Sequence, residues 1–237
     1  VGTSFGMAIY GLKPVAEIQF DGFSIPILDQ LVNHASRIRN RSRGRFHAPM
    51  VVRIPYSGGI RALEHHSESP ETYFVHTPGL KVVVPSGPYD AKGLLVSAIR
   101  DPDPVIYLEP KRVYRAIKEE VPEEEYTIPI GEANVVQQGG DMTIISYGAM
   151  MKIVKEAVDK IGEKYSIEVI DGRSLSPLDS KTILDSVEKT GRVVIVHEAP
   201  RTLGMAAEII AEINEKALLK LEAPVERVTG YDVVYPL

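Results

Sequence analysis

The sequence predicts an α/β protein made of two domains, each built around a mainly parallel sheet. From residue 143 onwards, short runs of β-branched and apolar residues alternate with amphipathic segments at regular spacing. This alternation is typical of parallel strands joined by crossover helices, because such strands are covered on both faces and are apolar throughout. A length of 237 residues also fits two domains of ordinary size.

The second half of the chain has the more regular pattern. Strands are predicted at residues 143–147, 167–171, 193–197 and 225–228, and helices at 149–164, 179–190 and 203–219. Gly191 follows Thr190 where a helix C-cap glycine belongs, which predicts that the helix over 179–190 ends before the next strand.

The first half has a looser version of the same pattern. Strands are predicted at residues 15–20, 50–54, 81–84 and 105–108, and helices at 25–39 and 88–100. Between the halves, KEEVPEEEYTIP contains five glutamates and two prolines, a composition that predicts a surface linker. We therefore expect domains at 1–117 and 131–237, joined by an acidic linker at 118–130.

The composition narrows the possible functions. The formal net charge is −5 and no basic block is present to neutralise a phosphate backbone, so we expect no nucleic-acid partner. The absence of cysteine excludes disulfides, thiolate metal sites and thiol nucleophiles. No apolar run approaches the ~20 residues that span a bilayer, and we expect a cytoplasmic protein without membrane contact. Because the chain begins with Val1 inside a helical pattern, we expect the natural product to extend upstream.

The segment EHHSESPE, residues 64 to 71, contains two adjacent histidines, His65 and His66. Neighbouring side chains point in different directions on a helix or a strand, which disfavours a zinc pair. A histidine in a loop rich in serine and glutamate can instead carry a proton near neutral pH. A polar surface loop without chemistry is the commoner interpretation of such a segment.

Other motifs are weaker. GTSFG at residues 2–6 matches the G-x-S-x-G nucleophile elbow, but no strand is predicted before it, so close helix packing is favoured. The sequence contains no standard glycine-rich phosphate loop. Glu17 lies in an apolar strand, where we favour a buried structural acid over a cofactor ligand. Phe20 and Phe23 follow that strand, and the end of a strand is where open α/β sheets place their ligands.

Seven segments resemble, in order, the β subunit of the first, decarboxylating component of 2-oxo acid dehydrogenases. They are PVAEIQFDGF, LDQLVNHASRIR, HHSESPETYFVHTPGLKVVVPSGPYDAKGLL, IRDPDPVIYLEPK, EVIDGRSLSPLD, KTGRVVIVHEA and LEAPVERVTGYD. The resemblance implies a pyrimidine-binding domain followed by a transketolase C-terminal-type domain, in an α2β2 heterotetramer. It also implies thiamine diphosphate at the α/β interface, with Mg²⁺ held mainly by the α subunit. The acyl group of a small 2-oxo acid would pass to a lipoyl group on the acyltransferase component of the complex.

The resemblance assigns roles to individual residues. Phe23 matches the aromatic residue that lies against the aminopyrimidine ring, and His66 matches the active-site histidine, for which we predict proton handling during acyl transfer. His65 and Ser67 would shape the loop, and His76 would support it.

The resemblance also implies a structural potassium ion, bound mainly by backbone oxygens. Its ligands would come from Ala48, Met50, Val51, Ala98, Asp101 and Asp103. From the residues alone, IRDPDP is a turn by default, although oxygen-rich turns also hold hard cations.

The sequence departs from the family pattern at several places. The family's glutamate that hydrogen-bonds the pyrimidine ring belongs just upstream of GTSFG and is absent from this sequence. Gly22 stands where the family has aspartate, with Asp21 one place earlier. Glu68 stands where the family has glutamine, and it adds a carboxylate two positions from His66.

Alternative functions stay open. The segment SPETYF favours a branched-chain substrate such as 3-methyl-2-oxobutanoate, with pyruvate as the alternative. A non-catalytic subunit that docks the α subunit and the acyltransferase core is a second hypothesis, motivated by the missing glutamate. A transketolase or deoxysugar synthase is a third, which explains the EHHSESPE segment poorly.

Overall fold

The computed structural model describes residues 1–236 and contains two five-stranded sheets. The strands are β1 Val15–Glu17, β2 Val51–Tyr56, β3 Lys81–Val83, β4 Val105–Pro110, β5 Asn134–Gln137, β6 Met142–Ser146, β7 Ile167–Asp171, β8 Ser174–Ser176, β9 Val193–Pro200 and β10 Glu226–Gly230. The helices are α1 Gly2–Ile9, α2 Leu28–Gln30, α3 Ile38–Arg41, α4 Glu71–Val75, α5 Pro88–Arg100, α6 Met150–Ile161, α7 Ser180–Thr190 and α8 Met205–Ala217. The α/β class is confirmed.

The first sheet has the strand order β1-β2-β4-β3-β8. Strands β1 to β4 pair in parallel, so their carboxyl ends lie at one edge of the sheet. Strand β8 comes from the second half of the chain and pairs antiparallel with β3. A strand of the second half therefore forms one edge of the first sheet, and the two halves of the chain are joined by backbone hydrogen bonds.

The second sheet has the order β10-β9-β6-β7-β5, with only β5 antiparallel among its pairings. Apolar side chains cover both faces of each sheet, as expected for parallel strands. In the first sheet, Val52 and Ile54 pack on one face with Phe74, whereas Val51 packs on the other face with Leu94. Neighbouring residues of β2 thus contribute to different cores.

Most predicted elements agree with the structure, and α5 and β7 have the predicted limits. Gly191 adopts the left-handed conformation, with φ of 63°, and ends α7 as predicted. The segment predicted as helical over 25–39 is helical over most of its length, but it is not one continuous α-helix. Pro26 lacks an N–H group and lies in a 3₁₀ turn, Asp21–Ile27, which is followed by α2, a π-helical turn Leu31–Ala35 and α3.

Two short strands, β5 and β8, were not predicted because each is an edge strand with polar residues. The prediction that Glu17 is buried is wrong, because β1 is an edge strand and the Glu17 side chain is 67% exposed beside Arg53. GTSFG lies within α1. None of the helices in residues 1–236 is long and apolar enough to cross a membrane.

The acidic segment 118–130 contains neither helix nor strand and runs along α5. Its glutamates are exposed, but Ile128 is buried against Gly93, and the Ser97 hydroxyl donates to the Ile128 carbonyl at 2.5 Å. The segment therefore contributes one side chain to the core of the first domain, which its composition did not indicate. The domain limits themselves stay a prediction.

Asp179 is the N-cap of α7, and substituting it tests how much this cap contributes to stability. Its carboxylate accepts hydrogen bonds from the backbone N–H groups of Thr182, at 3.1 Å, and Ala133, at 2.9 Å. We expect Asp179→Ala to lower the free energy of unfolding by about 1 kcal/mol, measured in urea, because both N–H groups lose their acceptor. Asp185→Ala removes an exposed carboxylate from the same helix and should change stability by less than about 0.5 kcal/mol. Equal effects of the two substitutions would contradict the capping role.

Candidate active site

The candidate site lies where two neighbouring parallel strands end. Strand β1 is followed by the turn Asp21–Ile27, and β2 is followed by the loop that contains EHHSESPE. Because β1 and β2 are paired in parallel, both segments begin at the same edge of the sheet. This edge is the usual position of a ligand site in an open α/β sheet.

His66 lies in an aromatic cluster at this edge. Its ring centroid is 4.1 Å from that of Phe20, 5.7 Å from that of Phe23 and 4.0 Å from that of His65. The Nδ1 atom of His66 is buried and has no hydrogen-bond partner within residues 1–236. The structure therefore brings the two predicted site residues, Phe23 and His66, together.

Phe23 remains 45% exposed although its ring edge contacts the histidines. His65 is also exposed, at the surface of a 3₁₀ turn Glu64–His66. No group of three or more histidine, aspartate or glutamate side chains able to hold a metal occurs in the part of the chain that is described. The cluster is thus an aromatic surface with an unpaired nitrogen, and the histidine pair lacks further metal ligands.

The loop is held by polar contacts at Glu68. Its N–H group donates to Asp21 Oδ2 at 2.7 Å, and its carbonyl oxygen accepts from the Ser57 N–H group at 2.9 Å. Lys111 Nζ lies 2.6 Å from the other Asp21 oxygen. Partial burial, with the carboxylates of Asp21 and Glu64, raises the pKa of the Glu68 side chain.

Residues of the second domain also contact the loop region. The carboxylate of Glu198, on β9, accepts hydrogen bonds from the Ser57 hydroxyl and from the Gly58 N–H group, the latter at 3.1 Å. The Tyr147 hydroxyl donates to Glu71 Oε1 at 2.8 Å. Glu71 is the last residue of EHHSESPE and the first residue of α4, so these bonds attach the residues before the segment, and its final residue, to the second domain.

Glu71 is 1% exposed, and its second carboxylate oxygen has no partner within residues 1–236. Burial raises the pKa of Glu71 to about 7, because a charged carboxylate is poorly solvated between the domains. The hydrogen bond from Tyr147 acts in the opposite direction and is outweighed. Sequence patterns did not single out Glu71, although a glutamate before the apolar residues of TYFV was a weak signal of burial.

His197 on β9 was also not singled out. Its Nδ1–H donates to the Ala199 carbonyl at 3.1 Å, and its buried Nε2 has no partner among the described residues. Burial lowers the pKa of His197 to about 4, so this ring is neutral at physiological pH. It lines a cleft of about 560 Å³ between the second domain and the residues that follow His66. The sequence feature that could have identified His197 is the position of a histidine at the end of the apolar run VVIVH.

The residues of the predicted potassium site lie together, but their side chains already have partners. Lys81 Nζ lies 2.8 and 2.6 Å from the two Asp101 oxygens, and Arg39 Nε lies 2.7 Å from Asp103 Oδ1. The carbonyl oxygens of Ala48, Met50 and Ala98 each accept a backbone hydrogen bond. Each of these carbonyl oxygens keeps a second lone pair, so these contacts do not test the ion. The potassium site formed by Ala48, Met50, Val51, Ala98, Asp101 and Asp103 stays a prediction.

The fold and the strand-edge site define a transketolase-type, two-domain α/β protein. Residues 1–117 match the transketolase pyrimidine-binding domain, and residues 131–237 match the transketolase C-terminal domain. A solved split-gene transketolase, described as an inactive β4 tetramer, superposes with a TM-score of 0.81 at 21% identity, covering 99% of this chain and 72% of that one. This similarity concerns the fold alone.

Curated relatives define the family more narrowly. The chain is 59% identical over 238 residues to the pyruvate dehydrogenase E1 component subunit beta of Acholeplasma laidlawii, covering 100% of this chain and 73% of the relative. Its identity to the subunit of that name from Mycoplasma genitalium is 50%, with the same two coverages. The chain therefore belongs to the family of β subunits of the first component of 2-oxo acid dehydrogenases, which is thiamine diphosphate-dependent.

The residues at the strand edge fit an aromatic cofactor ring. Phe23 presents an exposed ring beside His66, whose Nδ1 is buried without a partner among the residues described. An exposed aromatic face can stack on an aminopyrimidine, and an unpaired imidazole nitrogen can exchange a hydrogen bond with a bound group.

The pKa of Glu71 predicts a pH dependence of stability. The folded carboxyl, with a pKa of about 7, binds its proton more tightly than the unfolded carboxyl near 4.5. This residue therefore lowers stability as pH rises between those values, by up to about 1.4 kcal/mol per pH unit. We expect Glu71→Gln to gain stability relative to the wild type across this range, measured by urea unfolding at a series of pH values.

Asp171 has a pKa raised to about 7 by burial, and it contributes a similar slope to both proteins, so the difference between them isolates Glu71. The exposed Glu215→Gln is the matched control and should leave the slope unchanged. A pH-independent difference between the wild type and Glu71→Gln would contradict the buried, protonated state.

Proposed function

We propose that this chain is the catalytic β subunit of a pyruvate dehydrogenase, active only with its α partner. The observation that supports this most directly is the contact between Phe23 and His66, with ring centroids 5.7 Å apart at the carboxyl end of β1. Phe23 offers a surface suited to the aminopyrimidine ring, and His66 is the group that we propose transfers a proton, so the contact places both functions at one site.

Pyruvate is the proposed substrate because the relatives with 59% and 50% identity carry the name pyruvate dehydrogenase. The branched-chain substrate favoured by SPETYF is the second candidate. That segment lies at the start of α4, where Glu71 is buried against Tyr147. Its residues are therefore explained better by packing between the domains than by the choice of substrate.

Thiamine diphosphate, when bound, supplies the electron sink for decarboxylation of the 2-oxo acid. Phe23 orients the aminopyrimidine by stacking, and the buried surroundings of His66 exclude water from its Nδ1 atom. His66 donates or accepts a proton through its imidazole ring while the acyl group passes to the dithiolane of the lipoyl group. Glu68, with its raised pKa, supplies a nearby carboxyl that influences the charge of this loop.

The exposed aromatic and aliphatic side chains at this edge suit a protein partner. Phe23, Ile25 and Leu63 are 45%, 47% and 54% exposed around the site. We propose that the α subunit covers this surface in an α2β2 assembly and supplies the diphosphate and Mg²⁺ ligands. Docking of the lipoyl acyltransferase component and a cytoplasmic location are proposals that rest on the family.

The substrate is tested by assembling the subunit with its α partner, thiamine diphosphate and Mg²⁺. We expect decarboxylation of pyruvate with a kcat/KM at least about tenfold higher than that for 3-methyl-2-oxobutanoate, a difference of about 1.4 kcal/mol. The reverse preference would support the branched-chain candidate. Absence of activity with both substrates in an assembled heterotetramer would sink the enzymatic function and favour an assembly subunit.

The role of His66 is tested by separating the two half-reactions. We expect His66→Gln to lower acyl transfer to a lipoyl domain by about a hundredfold, because general acid–base groups contribute on this scale. Decarboxylation coupled to ferricyanide, which needs no lipoyl group, should change much less. The neighbouring substitution His65→Gln should have the smaller effect on acyl transfer. Unchanged acyl transfer in His66→Gln would show that the assignment is wrong.

A further inference from the structure

The dipeptide Asp21–Gly22 lies at the contact between the turn Asp21–Ile27 and the EHHSESPE loop. We propose that Asp21 and Gly22 are positioning residues that form a seat for this loop and thereby fix the ring of His66 for acyl transfer. This inference rests on the proposed function and assigns it two further residues.

Asp21 connects three segments that are distant in sequence. Its carboxylate oxygens contact Lys111 Nζ at 2.6 Å and the Glu68 N–H group at 2.7 Å, so each oxygen has its own partner. The side chains of Asp21 and Lys111 are 0% and 6% exposed. A buried pair of this kind is strongly sensitive to loss of one partner, since the remaining charge has no compensation.

Gly22 allows the loop backbone to approach closely. A Cβ atom at this position would lie 2.2 Å from the His65 carbonyl oxygen and 3.0 Å from the His65 Cβ atom. The first distance is too short for any side chain, and the neighbour is a backbone atom that cannot turn away. An aspartate at position 22 is therefore incompatible with this loop position.

The seat contacts the backbone of Glu68, two residues after His66. Asp21 accepts from the Glu68 N–H group, while the Ser57 N–H group donates to the Glu68 carbonyl oxygen at 2.9 Å. On the other side, the absence of a Cβ atom on Gly22 lets the His65 carbonyl oxygen pack against the turn. His66 thus lies between two backbone contacts with the turn, and its ring packs 4.1 Å from that of Phe20, measured between centroids.

This arrangement predicts a selective effect on the proposed reaction. A proton-transfer group must lie within hydrogen-bond reach of its partner, and displacement by about 1 Å can cost a hundredfold in rate. Decarboxylation does not use His66 in the proposed mechanism. Disturbing the seat should therefore slow acyl transfer more than decarboxylation.

The first test compares Gly22→Ala with Gly140→Ala in the assembled α2β2 enzyme. Gly140 has open space around its Cα and no left-handed backbone, so its substitution is the matched control. We expect Gly22→Ala to lower acyl transfer to a lipoyl domain by about tenfold or more, with ferricyanide-coupled decarboxylation of pyruvate changed by less than about twofold.

The second test uses Asp21. We expect Asp21→Ala to slow acyl transfer in the same selective way, because the Glu68 N–H group loses its acceptor and Lys111 keeps a buried, unpaired charge. The double substitution Asp21→Asn with Lys111→Met keeps an acceptor for the N–H group and removes the stranded charge. We expect it to recover most of the lost transfer rate.

A measurement without substrate separates this inference from the proposed function. The Cε1–H resonance of the His66 ring, assigned by its loss in His66→Gln, should move in Gly22→Ala and stay in place in Gly140→Ala. An unmoved resonance, or a parallel fall of both half-reactions in Gly22→Ala, would overturn the seat. If the wild-type assembly is inactive and the resonance still moves in Gly22→Ala, the proposed function and the seat's role in acyl transfer are overturned. The seat's control of the His66 ring position would then still stand.

Discussion

The candidate site depends on the buried ion pair between Asp21 and Lys111, which joins the ends of β1 and β4 to the loop after β2. Removing two charges from water is costly, and further hydrogen bonds offset this cost: Asp21 accepts from the Glu68 N–H group, and Lys111 donates to the Pro55 carbonyl. The first of these bonds fixes the loop to the sheet edge. The aromatic cluster, the orientation of His66 and the exposed face of Phe23 all follow from that attachment.

The two domains cooperate through polar groups as well as through the shared sheet. Glu198 binds Ser57 and Gly58, which precede EHHSESPE, and Tyr147 binds Glu71, the last residue of that segment. Below pH 7 Glu71 makes this contact mainly in its protonated form, which avoids burying a full charge, since its pKa is raised to about 7. The second domain is therefore a structural part of the site, although the predicted site residues lie in the first domain.

The fold was largely predictable because its strands are local apolar runs and α5, α7 and α8 are amphipathic segments. Edge strand β8 was not predictable, since its three residues are a strand only when paired with β3 from the other half. His66 and Phe23 were found through a family resemblance, and the structure adds their contact. The ion pair of Asp21 could not be predicted from the sequence, because its partner Lys111 lies 90 residues away and only the folded chain brings the two charges together.

We propose that the aromatic edge formed by Phe23 and His66 receives the cofactor's aminopyrimidine ring. An electron-density map of the assembled α2β2 enzyme with thiamine diphosphate bound tests this proposal. We expect the aminopyrimidine to stack on the exposed face of Phe23, with the His66 ring facing the reactive end of the cofactor. A cofactor ring without contact to Phe23, or a His66 ring turned away from it, would contradict the proposed site.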